Sequence, residues 1–168
     1  MEVLGRATGI RLSEPHTAVD LGTSGGARPI SHSLQPESAA GELVLHDVSA
    51  EGPPGVLFDV FIAPKSNPSA RQYVGTISWF GVFGHHHGTS GPKPKTRTLR
   101  FDVTDPLRKL GAAADAAGLT VSFDASTGLV SSTPAPATGV QADASKAFRP
   151  QSQVQIGAVE IRSVTAPP

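Results

Sequence analysis

Leu99, Phe101 and Val103 alternate with Arg100 and Asp102, an apolar–charged period of two that suits an extended strand with one buried face. Leu119–Thr120–Val121–Ser122–Phe123–Asp124 repeats the pattern. Arg71 to Phe80 sets Tyr73, Gly75, Ile77 and Trp79 against Val74, Thr76, Ser78 and Phe80. Leu43 to Val48 and Leu57 to Ile62 are apolar on both faces, which predicts central or covered strands. Thr17 to Leu21 is a weaker strand. Between these bursts stand Gly, Pro, Ser and Asn, and the 18 Gly and 15 Pro among 168 residues leave little room for long helices.

Val154 to Val164 is the last such burst and changes phase: Val154 and Ile156 share one parity, Val159 and Ile161 the other. A bulge at Gly157 would keep one continuous core face, the alternative being two short strands joined by a bend. One helix is expected. Thr104 or Asp105 can cap it, Pro106 suits its first turn, Leu107 and Leu110 can face inward, and Gly111 ends it. Ala112 to Ala117 can add a turn before Gly118. The expected fold is therefore all-β, an antiparallel β-sandwich or flattened barrel of about seven strands with one short helix over residues 104–111. Residues 1–40 read as an N-terminal arm or linker with a candidate first strand at 17–21, and 41–164 as the β-domain. A loose loop is expected at 127–150, which has almost no bulky apolar residue before Phe148.

Charge and composition exclude several functions. Fourteen basic residues balance fourteen acidic ones, so the phosphate-neutralising excess of a nucleic-acid binder is missing. No apolar run has the length of a membrane span. The first twenty residues lack a basic start and an apolar core, so no signal peptide is read and the location is cytoplasmic by default. Without cysteine there is no disulfide, thiolate metal site or cysteine nucleophile. Neither a G-x-S-x-G elbow, a G-x-G-x-x-G turn nor a Walker loop occurs. Asp59, Asp102 and Asp124 fall at outward strand positions and read as solvated carboxylates or turn partners. Lys93, Lys95, Arg97 and Arg100 read as a solvated basic hairpin.

Two features stand out. Trp79, Phe80 and Phe83 place three of the chain's nine aromatics within five positions, and alternation turns Trp79 and Phe80 to opposite faces. One of them can pack inside while another is offered to a partner's pocket. Directly after them, His85, His86 and His87 form a Gly-flanked run. As a metal site they are candidates only, since an extended loop turns His85 and His87 the same way and supplies two ligands at most. The plainer reading is a solvated polar loop.

As a set, these segments resemble the C-terminal domain of polyphenol oxidases and tyrosinase-like type 3 copper proteins. Leu57–Phe58–Asp59–Val60 is similar to the Lys-Phe-Asp-Val signature that names the plant domain, with Leu57 replacing the lysine. Tyr73 to Gly81 resembles the Y-V-G-x-[LI]-S-F-F-G strand of bacterial relatives, and the His-bearing loop 85–88 follows it. Phe101–Asp102–Val103–Thr104–Asp105, with Leu107 and Leu110–Gly111–Ala112, resembles the strand leading into a helix. Leu119 to Phe123 and Val154 to Ile161 resemble the last two strands, so the likeness runs over about residues 40–164. The segment 127–150 is longer and looser than the family pattern.

The resemblance implies an accessory domain without its enzyme. The family's catalytic part is a helical bundle holding two coppers with six His, whereas none of the six His here is spaced as H-x-x-x-H. It implies a lid over a partner's dicopper entrance, controlling latency, with Trp79, Phe80 or Phe83 as the inserted side chain. The implied partner is a tyrosinase-like catalytic domain or subunit. The chain has no cofactor of its own, and any copper contact would come through the His loop or that partner. Met1 reads as the start of a separate, or at least separately expressed, product that acts in trans or after cleavage. The alternatives are a His-loop copper chaperone for such an enzyme and a free-standing β-sandwich binding module with Trp79 and Tyr73 as its platform.

Overall fold

In the computed structural model the described residues are 1–22, 34, 39–79, 95–128, 140 and 142–165. Among them, eight strands form two four-stranded antiparallel sheets. They are β1 (Glu2–Leu12), β2 (His16–Asp20), β3 (Ala39–Val48), β4 (Leu57–Pro64), β5 (Gln72–Ile77), β6 (Arg97–Asp102), β7 (Leu119–Ser126) and β8 (Val154–Thr165). The first sheet has the order β1-β8-β3-β6 and the second β2-β7-β4-β5. Neither closes on itself, so the architecture is the sandwich of the two expected alternatives. β3 and β4, apolar on both faces, are inner strands of their sheets, as that composition requires.

The inward faces meet in one core. Phe58, Val60 and Ile62 of β4 and Val121 and Phe123 of β7 pack against Leu43 and Leu45 of β3 and Ile156, Val159 and Ile161 of β8. On one side, backbone hydrogen bonds of 2.9–3.0 Å between Arg6 and Gly22 stitch β1 to the chain just beyond β2. On the other, the Phe101 ring of β6 fills the space above Gly75 of β5. A Cβ on Gly75 would lie 2.5 Å from that ring, so the glycine of the Tyr73–Val74–Gly75 segment makes room for an aromatic from the opposite sheet.

Residues 1–12 correct the reading of an arm or linker: they are an edge strand, and β1 pairs along β8 from Glu2↔Ser163 to Leu12↔Val154. Alternation is hard to see in β1 because its core side chains change phase, with Ile10 and Leu12 on one side of Gly9 and Ala7 on the other. The phase slip of β8 is the same event. Pairing of β8 with β3 runs without a register shift from Ala39↔Thr165 to His46↔Ala158 and resumes at Ser49↔Gln155. Core residues of β3 change phase at that level too, from Leu43 and Leu45 to Val48 and Ala50. Three adjacent strands therefore shift together, at Gly9, Gly157 and His46–Asp47. Gly9 (φ 67°) and Asp47 (φ 52°) adopt left-handed backbone there, and Asp47 Cβ lies 3.0 Å from where a Cβ on Gly157 would stand. A bulge confined to Gly157 is thus replaced by a crease across the sheet. An extra residue appears against β6, where Leu45↔Leu99 is followed by Val48↔Arg97, and β1 carries another against β8 between Val3 and Gly5.

Helix α1 (Thr104–Leu110) buries Leu107 and Leu110 and stops at Gly111 (φ 51°); α2 (Ala112–Ala117) adds the further turn before Gly118. Its N-cap is Val103 rather than Thr104 or Asp105. The cause is that Asp102 Oδ1 already accepts the Thr104 N–H at 2.9 Å, while the Thr104 hydroxyl accepts the Gly41 N–H at 2.9 Å. Part of the expected loop 127–150 is ordered as α3 (Ala142–Ala147), whose Ala144 is buried. Phe148 follows it and meets Phe58 edge-on at 5.9 Å, so the sparse apolar residues of that segment reach the core.

Candidate functional site

Trp79 lies two residues beyond the end of β5, is 8% exposed and belongs to the core. Its indole N–H finds no hydrogen-bond partner among the described residues. Phe80, Phe83, His85, His86 and His87 lie outside the described residues. Among the described residues, no three His, Cys, Asp or Glu side chains come together as a metal-holding group, and no helix is long and apolar enough to cross a membrane.

The built polar site lies elsewhere, on the outer face of the β2-β7-β4-β5 sheet. Strand register puts His16, Asp124, Asp59 and Thr76 side by side across its four strands. Two carboxylates directly opposite one another on neighbouring strands repel unless each is compensated. Arg71 and His16, through Nδ1, both donate to Asp124, whose carboxylate accepts only and so fixes the ring proton on Nδ1. Asp59 is served by Thr76, whose hydroxyl donates to Oδ1 at 2.5 Å. That leaves the Thr76 oxygen as acceptor for the Tyr73 hydroxyl at 2.8 Å. Above the row, the Arg71 guanidinium stands 4.1 Å over the Phe61 ring, and Phe61 meets Tyr73 edge-on at 5.7 Å.

Asp124 corrects the sequence reading. Its parity is outward, yet it is 0% exposed, because Arg71 and His16 close over it. Asp59 is partly buried, and Asp102 stays exposed as expected. Tyr73 also departs from the pattern. Pairing shifts by one residue between Val60↔Gly75 and Phe61↔Tyr73, so Val74 packs toward the core and Tyr73 turns outward, 56% exposed. Tyr73 and Trp79 therefore do not form a joint platform. At the far end of the row's sheet, the Thr120 hydroxyl, donating at 2.7 Å, and Lys65 at 3.2 Å hold the Asp20 carboxyl below its usual value.

The opposite sheet's outer face is ionic. Arg162 grips Glu42 Oε2 through Nε at 2.7 Å and Nη2 at 2.6 Å, and Arg100 reaches the same oxygen at 3.1 Å. Alongside, Glu160 is met by His46 at 3.2 Å and Arg6 at 3.4 Å. Val44 lies between these rows, 0% exposed. Lys95, Arg97 and Arg100 are exposed, as expected for the basic hairpin; Lys93 lies outside the described residues.

No protein-family model matches the chain. Over 117 residues, or 67% of its length, it is 32% identical to the chloroplastic latent form of polyphenol oxidase from Prunus armeniaca, of which it covers 19%. The chain thus spans about a fifth of the length of the curated relative it matches. Among solved structures, a recombinant latent aurone synthase (polyphenol oxidase) co-crystallised with hexatungstotellurate(VI) superposes with a TM-score of 0.51 at 16% identity, covering 96% of this chain and 26% of that one. Recombinant latent aurone synthase on its own gives a TM-score of 0.48 at 16% identity, covering 95% and 26%. The chain is homologous to the small C-terminal portion of a latent polyphenol oxidase and not to its catalytic region, which supports a tyrosinase-family accessory domain.

Proposed function

We propose that this chain is a non-catalytic partner domain of a tyrosinase-like type 3 copper oxidase, lying over the dicopper entrance and keeping the enzyme latent. The observation that carries the reading is the homology itself: 117 aligned residues fall within a fifth of a relative described as a latent form. The two-sheet core supports it, since a rigid sandwich can hold a side chain at a partner's active-site mouth without paying to order itself on binding. Trp79 is committed to the core, so the proposal gives the inserted side chain to Phe80 or Phe83, with the His85–His87 run beside it. Seating one phenylalanine in an apolar mouth contributes about 2–3 kcal/mol before ordering costs.

The test is an oxidation assay. Purified chain is titrated into a tyrosinase-like oxidase that lacks its own C-terminal domain, and diphenol oxidation is followed. The rate falls saturably with wild-type chain and recovers with a Phe80→Ala, Phe83→Ala double variant. An unchanged rate at saturating chain rejects the lid.

A further inference from the structure

We propose that the Tyr73 face of the β2-β7-β4-β5 sheet is a second docking surface for the catalytic domain of the oxidase, separate from the inserted side chain. The inference rests on the partner reading above and adds where the contact area comes from. A specific protein complex needs about 800 Å² on each partner. One phenylalanine in a pocket supplies only about 150–250 Å² of that. The rest must come from other surface of the domain, and in sequence Phe80 and Phe83 follow β5.

Tyr73 is on that same strand, about 20 Å from Trp79 at the ordinary rise of a strand. A patch of about 800 Å² is roughly 30 Å across and takes in both points. β5 is also the outermost strand of its sheet among the described residues. Of the large apolar side chains described, Tyr73 and Met1 are the two that are exposed.

Tyr73 is held rigid before any partner arrives. Its hydroxyl is tied to Thr76 and through it to Asp59, its ring rests against Phe61, and Phe61 is capped by Arg71, which is anchored in buried Asp124. A fixed aromatic with a charged rim is the anatomy of a protein hot spot, because little side-chain freedom is lost on contact. The other outer face is less suited, since its carboxylates Glu160 and Glu42 are already engaged by Arg6, His46, Arg162 and Arg100.

Binding and inhibition are measured separately on the full chain and an oxidase lacking its C-terminal domain. Tyr73→Ala weakens binding at least tenfold, Tyr73→Phe two- to threefold through loss of the Thr76 tie, and Thr8→Ala on the opposite sheet leaves it unchanged. Circular dichroism and melting establish that each variant is folded; the conservative Tyr73→Phe decides the matter if Tyr73→Ala does not fold. If the wild-type chain binds without inhibiting, the lid fails while the weakened Tyr73 variants still support this surface. Wild-type affinity in both Tyr73 variants overturns the surface, and no binding by the wild-type chain overturns both proposals. Retention on insoluble polysaccharide that depends on Tyr73, with oxidase binding indifferent to it, also overturns the surface in favour of a sugar-stacking one.

Discussion

The two outer faces of the sandwich use the same residue types to opposite ends. On the β1-β8-β3-β6 sheet, charges pair across strands at the surface: Glu42 with Arg162 and Arg100, Glu160 with His46 and Arg6. Val44, in register with Arg100 and Glu160, is buried among them, and the outward result is a charged, wet surface. On the β2-β7-β4-β5 sheet, one carboxylate, Asp124, is sunk beneath Arg71 and His16, and the guanidinium it anchors caps an aromatic pair ending in exposed Tyr73. Ion pairs left at the surface screen the sheet from partners. An ion pair sunk below it fixes an aromatic surface. Whether a charge lies above or below its neighbours decides which role it takes.

The largest test of that contrast is Asp124→Ala. Removing one member of a buried ionic cluster leaves Arg71 and His16 uncompensated and lowers stability by about 3–5 kcal/mol, read from denaturant unfolding. An effect below about 1 kcal/mol would place Asp124 in the same class as the surface pairs. Gly75→Ala should cost about 1–3 kcal/mol by driving a methyl against the Phe101 ring where the two sheets meet; Phe101→Leu should relieve part of it, and additive losses would refute the contact. Glu42→Gln is smaller, about 1–2 kcal/mol, because Arg162 is nearly buried but Arg100 remains half in water. In 1 M salt the Glu42 effect shrinks while that of Asp124 persists, since screening acts on exposed pairs.

The smallest effect is a pH dependence at Asp102, which faces Glu42 across the first sheet. The Thr104 hydroxyl, and then its backbone N–H, hold the Asp102 carboxyl below its usual value. A lowered native value means that the stabilisation is complete above the unfolded carboxylate value and is lost as pH falls through the native one. Asp102→Asn should flatten the acid limb of the stability curve by lowering stability slightly at neutral pH while leaving it almost unchanged in acid. An acid limb identical to wild type would remove Asp102 from the account.

Much of the fold was written in alternation. β6 and the first half of β7 alternate with a period of two, β4 is a run apolar on both faces, and helix α1 is bounded by Gly111, so residues alone reveal them. β1 was hidden because its phase changes at Gly9, which erases the local period; the change makes sense only beside β8 and β3, which shift with it. Tyr73 was assigned the wrong face for the same kind of reason, a one-residue shift at Val74. The burial of Asp124 had no local signal at all. Its partners come from positions 53 and 108 residues away, and parity alone marks it as solvated. Of the aromatic and His segment that sequence singled out, the structure reports on Trp79, and it is core.

Hydrogen exchange on the chain, alone and with an oxidase lacking its C-terminal domain, tests the central claim most directly. Docking through the Tyr73 face predicts slowed exchange in Gln72–Ile77 and unchanged exchange in Glu2–Leu12 on the opposite sheet. Protection confined to Glu2–Leu12, or no change anywhere with oxidase in excess, would contradict it.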